Sequence, residues 1–133
     1  MGRHGDVTIK WADGEHAFRL GIGQLRELQE KCDAGPLEIY RRMFAGTWRL
    51  DDVRETIRLG LLGGGMAPID ALRLVERYVD ERPLIESMMV AKSILGVVLL
   101  PVEDEPLGEA EAASPETLGS SSRPSTEQAR RSA

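Results

Sequence analysis

The most apolar stretch of the chain runs from Pro83 to Leu100, and from Met88 to Leu100 its only polar side chains are Lys92 and Ser93. A helix on the surface of a domain shows a polar face at a period of 3.6 residues, and this stretch shows almost none. It is also too short and too interrupted to span a membrane, which needs about 20 apolar residues. The pattern predicts a central helix that the rest of the domain surrounds, with part of its surface kept for a partner.

Two short segments near the N-terminus alternate apolar and polar residues at the period of a β-strand. They are residues 7–11 (VTIKW) and residues 16–20 (HAFRL). Between them lies Asp13-Gly14, a dipeptide typical of two-residue hairpin turns because glycine tolerates positive φ. Since two strands alone are marginally stable in water, we expect this hairpin to lie on helices or to pair with another chain.

Five helices are predicted after the hairpin, because glycines and prolines at helix ends divide the remaining apolar pattern. The first extends to about Lys31, the second from Pro36 to Gly46, the third from the caps Asp51 and Asp52 to Gly63, the fourth from Pro68, and the fifth after Pro83. The predicted core-facing residues are Ile22, Leu25, Leu28 and Cys32, then Leu37, Tyr40, Met43 and Phe44, then Val53, Ile57 and Leu61, then Ile69, Leu72, Val75 and Val79. Arg54, Glu55 and Arg58 are expected to point outwards. The fold class is therefore α+β, mainly α.

The composition changes after Leu100. Residues 101–133 contain four of the seven prolines, a serine run, and seven acidic but only three basic side chains, with almost nothing apolar. Such a segment buries too little apolar surface to offset the entropy of ordering it. We therefore expect one domain over residues 1–102 and a disordered tail over residues 103–133, which should be dispensable for folding.

No catalytic or ligand-binding pattern stands out. A single cysteine, Cys32, and two histidines, His4 and His16, give neither a metal-binding spacing nor a nucleophile with its base. The glycines at 63–65 lack the Lys-Ser/Thr of a phosphate-binding loop. The first 100 residues are nearly neutral and carry no basic stripe, so nucleic acid is not an expected partner. We expect a protein that is not an enzyme and has no cofactor, and, because the N-terminus has no apolar signal region, one located in the cytoplasm.

Three parts of the sequence together resemble a known family. They are the N-terminal strand with its Asp13-Gly14 turn, the stretch LGIGQLRELQE at residues 20–30, and the block DDVRETIRLGLLGGG at residues 51–65. This order is similar to the small tail proteins of alphaproteobacterial gene transfer agents and phages, usually described as tail assembly chaperones and sometimes labelled tail tube proteins. The resemblance covers about residues 5–100 and leaves out the C-terminal tail.

The resemblance implies a non-enzymatic role in building a phage-like tail. Such chaperones cover the hydrophobic helices of the tape-measure protein until tube subunits polymerise around them. The tape-measure protein is therefore the expected partner, and tail tube subunits and a second copy of the chain are further candidates. The alternative is a structural tail component that stays in the particle. The candidate partner-binding residues are Trp48, which is expected to fold back onto the core, and Met66, Met88 and Met89, whose flexible side chains suit an adaptable apolar surface.

Overall fold

A computed structural model describes residues 4–101. The elements are β1 (Val7–Trp11), β2 (Gly14–Phe18), α1 (Ile22–Cys32), α2 (Pro36–Ala45), α3 (Leu50–Gly63), α4 (Pro68–Tyr78) and α5 (Leu84–Leu99). An antiparallel hairpin followed by five helices is the α+β, mainly α architecture that the sequence predicts. The predicted disordered tail, residues 103–133, lies outside the described residues.

The central helix is α3, so the prediction that the last helix is central is wrong. Eight of the 14 residues of α3 are buried, against five of the 16 residues of α5. α3 contacts β2, α1, α4 and α5. The reason is that α5 has more apolar side chains than the core can cover, whereas α3 satisfies its charged side chains with partners on its neighbours and can therefore sit inside.

Two acidic side chains of α3 are buried with arginine partners. Asp52 is fully buried; it accepts the backbone N–H of Arg49 at 2.8 Å and a hydrogen bond from the guanidinium of Arg42, on α2, at 3.2 Å. Glu55, predicted to point outwards, is buried and accepts a hydrogen bond from Arg58 at 2.6 Å. A buried carboxylate is tolerated only when it is paired, and both of these are.

The predicted caps of α3 are also corrected. The N-cap residue is Arg49, and Asp52 occupies the third helical position, from which its carboxylate reaches back to the Arg49 N–H. This contact satisfies a backbone donor that the helix itself leaves unpaired. Arg58 also reaches Glu27 on α1 at 3.2 Å, and Arg54 reaches Asp80, beyond the end of α4, at 2.9 Å. The charges of α3 therefore hold α1, α2 and the α4 end against the central helix.

The C-terminal end of α3 packs directly on β2, and glycines make this approach possible. The N–H of Arg19 donates to the carbonyl of Gly60 at 2.9 Å. A Cβ atom on Gly63 would overlap the carbonyl oxygen of Arg19, and one on Gly64 would overlap that of Ala17. The sequence predicts the glycine run only as a helix stop, but its first members are also required for close backbone packing.

The hairpin turn is Ala12-Asp13, so the predicted Asp13-Gly14 turn is wrong by one residue. Trp11 pairs with Gly14, and Ala12 has a φ of 61°. The observed register leaves the N–H of Arg19 free of the hairpin ladder, so that it can bind Gly60 of α3. A turn at Asp13-Gly14 would direct this N–H into the ladder instead. The contact with α3 therefore accompanies a turn that the local sequence does not favour.

Helix α2 buries a different stripe from the predicted one. Ile39 and Met43 are buried, and Tyr40 is partly buried against the core. Leu37 and Phe44, both predicted to face the core, are exposed. The apolar positions of α2 span more of its circumference than one core-facing stripe can take, so one side of the stripe remains on the surface.

Helix α1 leaves one predicted core residue outside and α4 leaves two, because Leu72 of α4 is only half-buried and does not pack on the core. Leu28 and Cys32 of α1 are buried, but Ile22, in its first turn, is 67% exposed. Val75 of α4 is buried, whereas Ile69, also in a first turn, is exposed. No helix within residues 4–101 is long and apolar enough to cross a membrane.

Candidate partner-binding surface

Helices α2 and α5 lie side by side and antiparallel, and their shared outer side is apolar. Tyr40 lies against Gly96, where an added Cβ would come within 3.0 Å of the tyrosine oxygen. Phe44 lies one turn after Tyr40 on α2, and Lys92 lies one turn before Gly96 on α5. The centre of the Phe44 ring is 4.6 Å from the ammonium of Lys92. Because the residue numbers rise along α2 as they fall along α5, the two helices run in opposite directions.

The exposed part of this side forms an apolar strip. Ile85, Met89, Lys92 and Gly96 follow one another at spacings of four, three and four, so they share one side of α5. Ile85 is 56% exposed, Met89 is 54% exposed, and Phe44, beside Lys92, is 64% exposed. We call the four side chains Tyr40, Phe44, Ile85 and Met89 the outer strip.

The outer strip has a defined shape, and one charged side chain, Lys92, lies against it. The rings of Tyr40 and Phe44 meet edge to face with their centroids 5.0 Å apart, an arrangement that fixes both on α2. The Lys92 ammonium over the Phe44 ring is a cation–π contact. Met89 is unbranched and flexible, so it adapts to the shape of a bound surface. The strip therefore combines apolar side chains with one positive charge.

The four candidate residues from the sequence do not form one surface. Met89 belongs to the outer strip, but Met88, which faces the core, is 5% exposed. Trp48, in the α2–α3 connection, packs on the core and is partly exposed, as the sequence predicts. Met66, after α3, is also partly exposed.

Phe44 and Ile85 are surface residues that the sequence pattern did not identify. Phe44 has the helical spacing of a core residue, and the pattern alone does not say which edge of a wide apolar stripe stays outside. The signal that was present in the sequence is the width of the apolar pattern, because the apolar positions of α2 and of α5 span more of each helix than one core-facing stripe can take.

Met66 lines an open cleft between the hairpin turn and α4, with a volume of about 410 Å³. The other lining residues are Asp13, His16, Asp70, Arg73, Leu74, Arg77 and Tyr78. His16 donates a hydrogen bond to Asp13 at 2.7 Å, and this bond, with a contribution from the charge of Arg77, lowers the pKa of Asp13. Most of the lining side chains are polar, so the cleft is not an apolar groove.

The thiol of Cys32 lies in an environment that suppresses its reactivity. It is buried, and it donates a hydrogen bond to the carbonyl of Asp51 at 3.3 Å. Burial, followed by the nearby charge of Asp52, raises the pKa of Cys32 to about 12. A thiol is nucleophilic as the thiolate, and this environment suppresses that form. Within residues 4–101 no group of three or more His, Cys, Asp or Glu side chains is arranged to hold a metal ion.

The described residues form a small α+β domain in which a hairpin packs on a central helix and an apolar strip lies on an outer helix pair. The family model described as "Phage tail tube protein, GTA-gp10" matches residues 4–100, which include the hairpin and all five helices. The chain belongs to this family of phage and gene-transfer-agent tail proteins, as the resemblance indicated. Neither a search of curated proteins nor a search of solved structures gives a match.

Proposed function

We propose that the protein is a tail assembly chaperone that binds the tape-measure protein in the host cytoplasm until tail tube subunits take its place. The observation that carries this proposal is the outer strip. Its three most exposed members, Phe44, Ile85 and Met89, each leave more than half of the side chain in water. Contiguous exposed apolar groups of this kind are a feature of protein-binding sites.

The length of the strip suits a helical partner. From Ile85 to Gly96 the rise of 1.5 Å per residue gives about 16 Å, or three turns of a helix. An amphipathic helix that docks on such a strip presents apolar side chains at positions i, i+3 or i+4, and i+7. The tape-measure protein is a long and largely helical assembly partner in the family that this chain resembles, so it offers segments of this type.

The proposed binding involves no catalytic step and depends on apolar burial. It should therefore have a negative heat-capacity change and depend only weakly on salt, apart from a contribution of Lys92 to an acidic partner residue.

Substitution of Ile85 by Asp tests the strip against a closely matched control. Ile85 and Ile22 are both exposed isoleucines in the first turn of a helix, where an added carboxylate interacts favourably with the helix dipole. Only Ile85 lies on the outer strip. We expect Ile85→Asp to lose co-purification with the tape-measure protein and to lose its effect on that protein's solubility, while Ile22→Asp keeps both. Equal behaviour of the two variants in a co-expression assay would contradict the proposed site.

The second candidate function is a structural tail component, which the family description as a tail tube protein favours. Quantitative mass spectrometry of purified particles separates the two. A chaperone is absent from finished tails or present far below the tube subunit, whereas a tube component is present in stoichiometric rings. The second outcome, together with wild-type protein that does not bind the tape-measure protein, would overturn the chaperone proposal.

A further inference from the structure

The pairing register of β1 and β2 shows which backbone N–H and C=O groups point away from the hairpin. Trp11 pairs with Gly14, Ile9 with His16 and Val7 with Phe18. In a hairpin with a two-residue loop, the pair that flanks the loop is hydrogen-bonded, and the hydrogen-bonded pairs then alternate along the strands. The residues between them therefore direct their N–H and C=O groups outwards.

The contact with α3 supports this assignment. Arg19 follows the end of β2 and lies two residues beyond Ala17, so the same alternation directs its N–H outwards. This N–H donates to the carbonyl of Gly60 of α3 at 2.9 Å. The outer edge of β2 is thus covered by the end of α3. By the same alternation, Thr8 and Lys10 direct their N–H and C=O groups to the outer edge of β1.

That outer edge is open in the part of the chain that the structure describes. Within residues 4–101 the backbone of Thr8 and Lys10 makes no hydrogen bond outside the hairpin, and both residues are exposed. Unpaired strand edges of this kind are templates for pairing with another strand. The side chains on the other face of β1, Val7, Ile9 and Trp11, are only half-buried, as expected for an edge strand.

We propose that β1 pairs with β1 of a second copy of this chain, antiparallel and around a two-fold axis at Ile9. This register pairs all five strand residues, because residues 7–11 of one copy lie opposite residues 11–7 of the other. Thr8 of each copy lies opposite Lys10 of the other, and the two pairs form four backbone hydrogen bonds. The two hairpins become one four-stranded sheet, which is more stable than separate two-stranded hairpins.

The charges and the apolar contacts agree with this register. Lys10 faces the uncharged Thr8 of the other copy, and its neighbour on the other side is Glu15 of its own hairpin. A register centred on Lys10 would instead place two lysines directly opposite each other, which is destabilising. The two Ile9 side chains meet at the axis in a non-hydrogen-bonded pair, the closer of the two pair types. The pairing is independent of the outer strip and hence of the proposed chaperone activity.

Substitution of Thr8 by Pro tests the open edge. Proline removes the outward N–H of residue 8, which the β1–β2 ladder does not use, and its ring obstructs a neighbouring strand. In analytical ultracentrifugation we expect the wild type to dimerise with rising concentration, and Thr8→Pro to weaken the dimer by at least about tenfold. The control Thr8→Val keeps the N–H and should dimerise as the wild type does. A wild type that stays monomeric at millimolar concentration, or a Thr8→Pro variant that dimerises normally, would overturn the proposal.

Disulfide cross-linking tests the register and does not depend on the proline variant folding. An Ile9→Cys variant places two thiols opposite each other at the axis, where Cβ atoms of a cross-strand pair are about 4.5–5.5 Å apart. Copper phenanthroline with oxygen removes two electrons and two protons from the pair and forms the disulfide. A Thr8→Cys variant is the control, since its two thiols lie on a diagonal of about 7–8 Å.

We expect the Ile9→Cys variant to form covalent dimers under these conditions and the Thr8→Cys variant to remain largely uncross-linked. The buried thiol of Cys32, present in both variants, does not compete. An Ile9→Cys variant that fails to cross-link, or equal cross-linking of the two variants, would contradict the register.

Discussion

Ala12 adopts a backbone conformation that its side chain disfavours. Its φ of 61° lies in the left-handed region, where a Cβ atom approaches the following carbonyl and costs roughly 1–2 kcal/mol. The next-but-one residue, Gly14, has the freedom that this position needs but lies in β2 instead. The strain at Ala12 accompanies the register that lets Arg19 bind Gly60 of α3.

Replacement of Ala12 by Gly should therefore stabilise the domain. The relief of the left-handed strain is partly offset by the larger entropy of glycine in the unfolded chain, about 0.5–1 kcal/mol, so we expect a net gain of about 0.5 kcal/mol. Urea titration monitored by circular dichroism measures the change in the free energy of unfolding. Ala17→Gly, on an exposed strand position without positive φ, is the control and should destabilise. A loss of stability in Ala12→Gly would show that the strain is absent.

Cys32 offers a prediction about reactivity. Because burial raises its pKa to about 12, the thiol stays protonated in the folded protein even at pH 9, where a free cysteine is largely ionised. Labelling with a thiol reagent should accelerate from pH 7 to pH 9 for the protein in denaturant and stay slow throughout for the native protein. Fast labelling of the native protein at pH 9 would mean that the α1–α3 contact around Cys32 opens readily.

At the scale of the elements, the block that carries the family resemblance is explained by packing. In α3 the acidic residues Asp52 and Glu55 are buried with arginines, and Thr56 donates a hydrogen bond to the Asp52 carbonyl at 2.6 Å. The glycines at the end of α3 allow β2 to lie against it. Residues 51–65 therefore specify how the central helix holds its neighbours.

Substitution of Gly63 by Ala should separate the hairpin from α3. The new Cβ would overlap the backbone carbonyl of Arg19, and backbone cannot move aside as a flexible side chain does. We expect a loss of about 1–3 kcal/mol or more in the free energy of unfolding, with early hydrogen exchange at the Arg19 amide. The matched control is Gly23→Ala, also in a helix but with open space around it, which should stabilise by up to about 1 kcal/mol. A neutral Gly63→Ala variant would contradict the direct packing.

At the scale of the whole molecule, α5 has one side buried in the core and one side exposed on the surface. Leu95 is fully buried, whereas Leu100, just beyond the end of the helix, is about half exposed. The buried side holds α5 against α3 and the hairpin, and the exposed side contributes Ile85 and Met89 to the outer strip. The expectation from the sequence that part of this helix is kept for a partner stays a prediction, and the expectation that the helix is central is wrong.

Truncation of Leu95 to Ala should be among the most damaging single changes. Removing a buried leucine side chain costs about 2–5 kcal/mol, a large share of the stability of a small domain. Leu100→Ala is the control and should cost well under 1 kcal/mol. Denaturant titration of both variants measures the difference. Similar values would mean that the buried side of α5 packs loosely.

The element order, the helix boundaries at prolines and glycines, and the Val53, Ile57 and Leu61 stripe of α3 were predictable from the sequence. These features depend on local rules: strands alternate with period two, helices with period 3.6, and proline and glycine limit the backbone. For the candidate site, the sequence identified Met89 as one of the exposed residues, and its expectation that part of the last helix serves a partner stays a prediction. Local patterns were sufficient because each of these features is set within a few consecutive residues.

The tertiary structure decided which apolar residues remain outside and which charged residues go inside. Phe44 and Ile39 have equally good helical positions on α2, and only the placement of α5 makes one a surface residue and the other a core residue. Glu55 has the helical position of a solvent-facing residue, and only the packing of other elements on α3 buries it together with its local partner Arg58. The hairpin turn, one residue earlier than predicted, accompanies a hydrogen bond from Arg19 to Gly60, 41 positions later in the chain. Each of these outcomes depends on contacts between distant segments, which a local pattern does not contain.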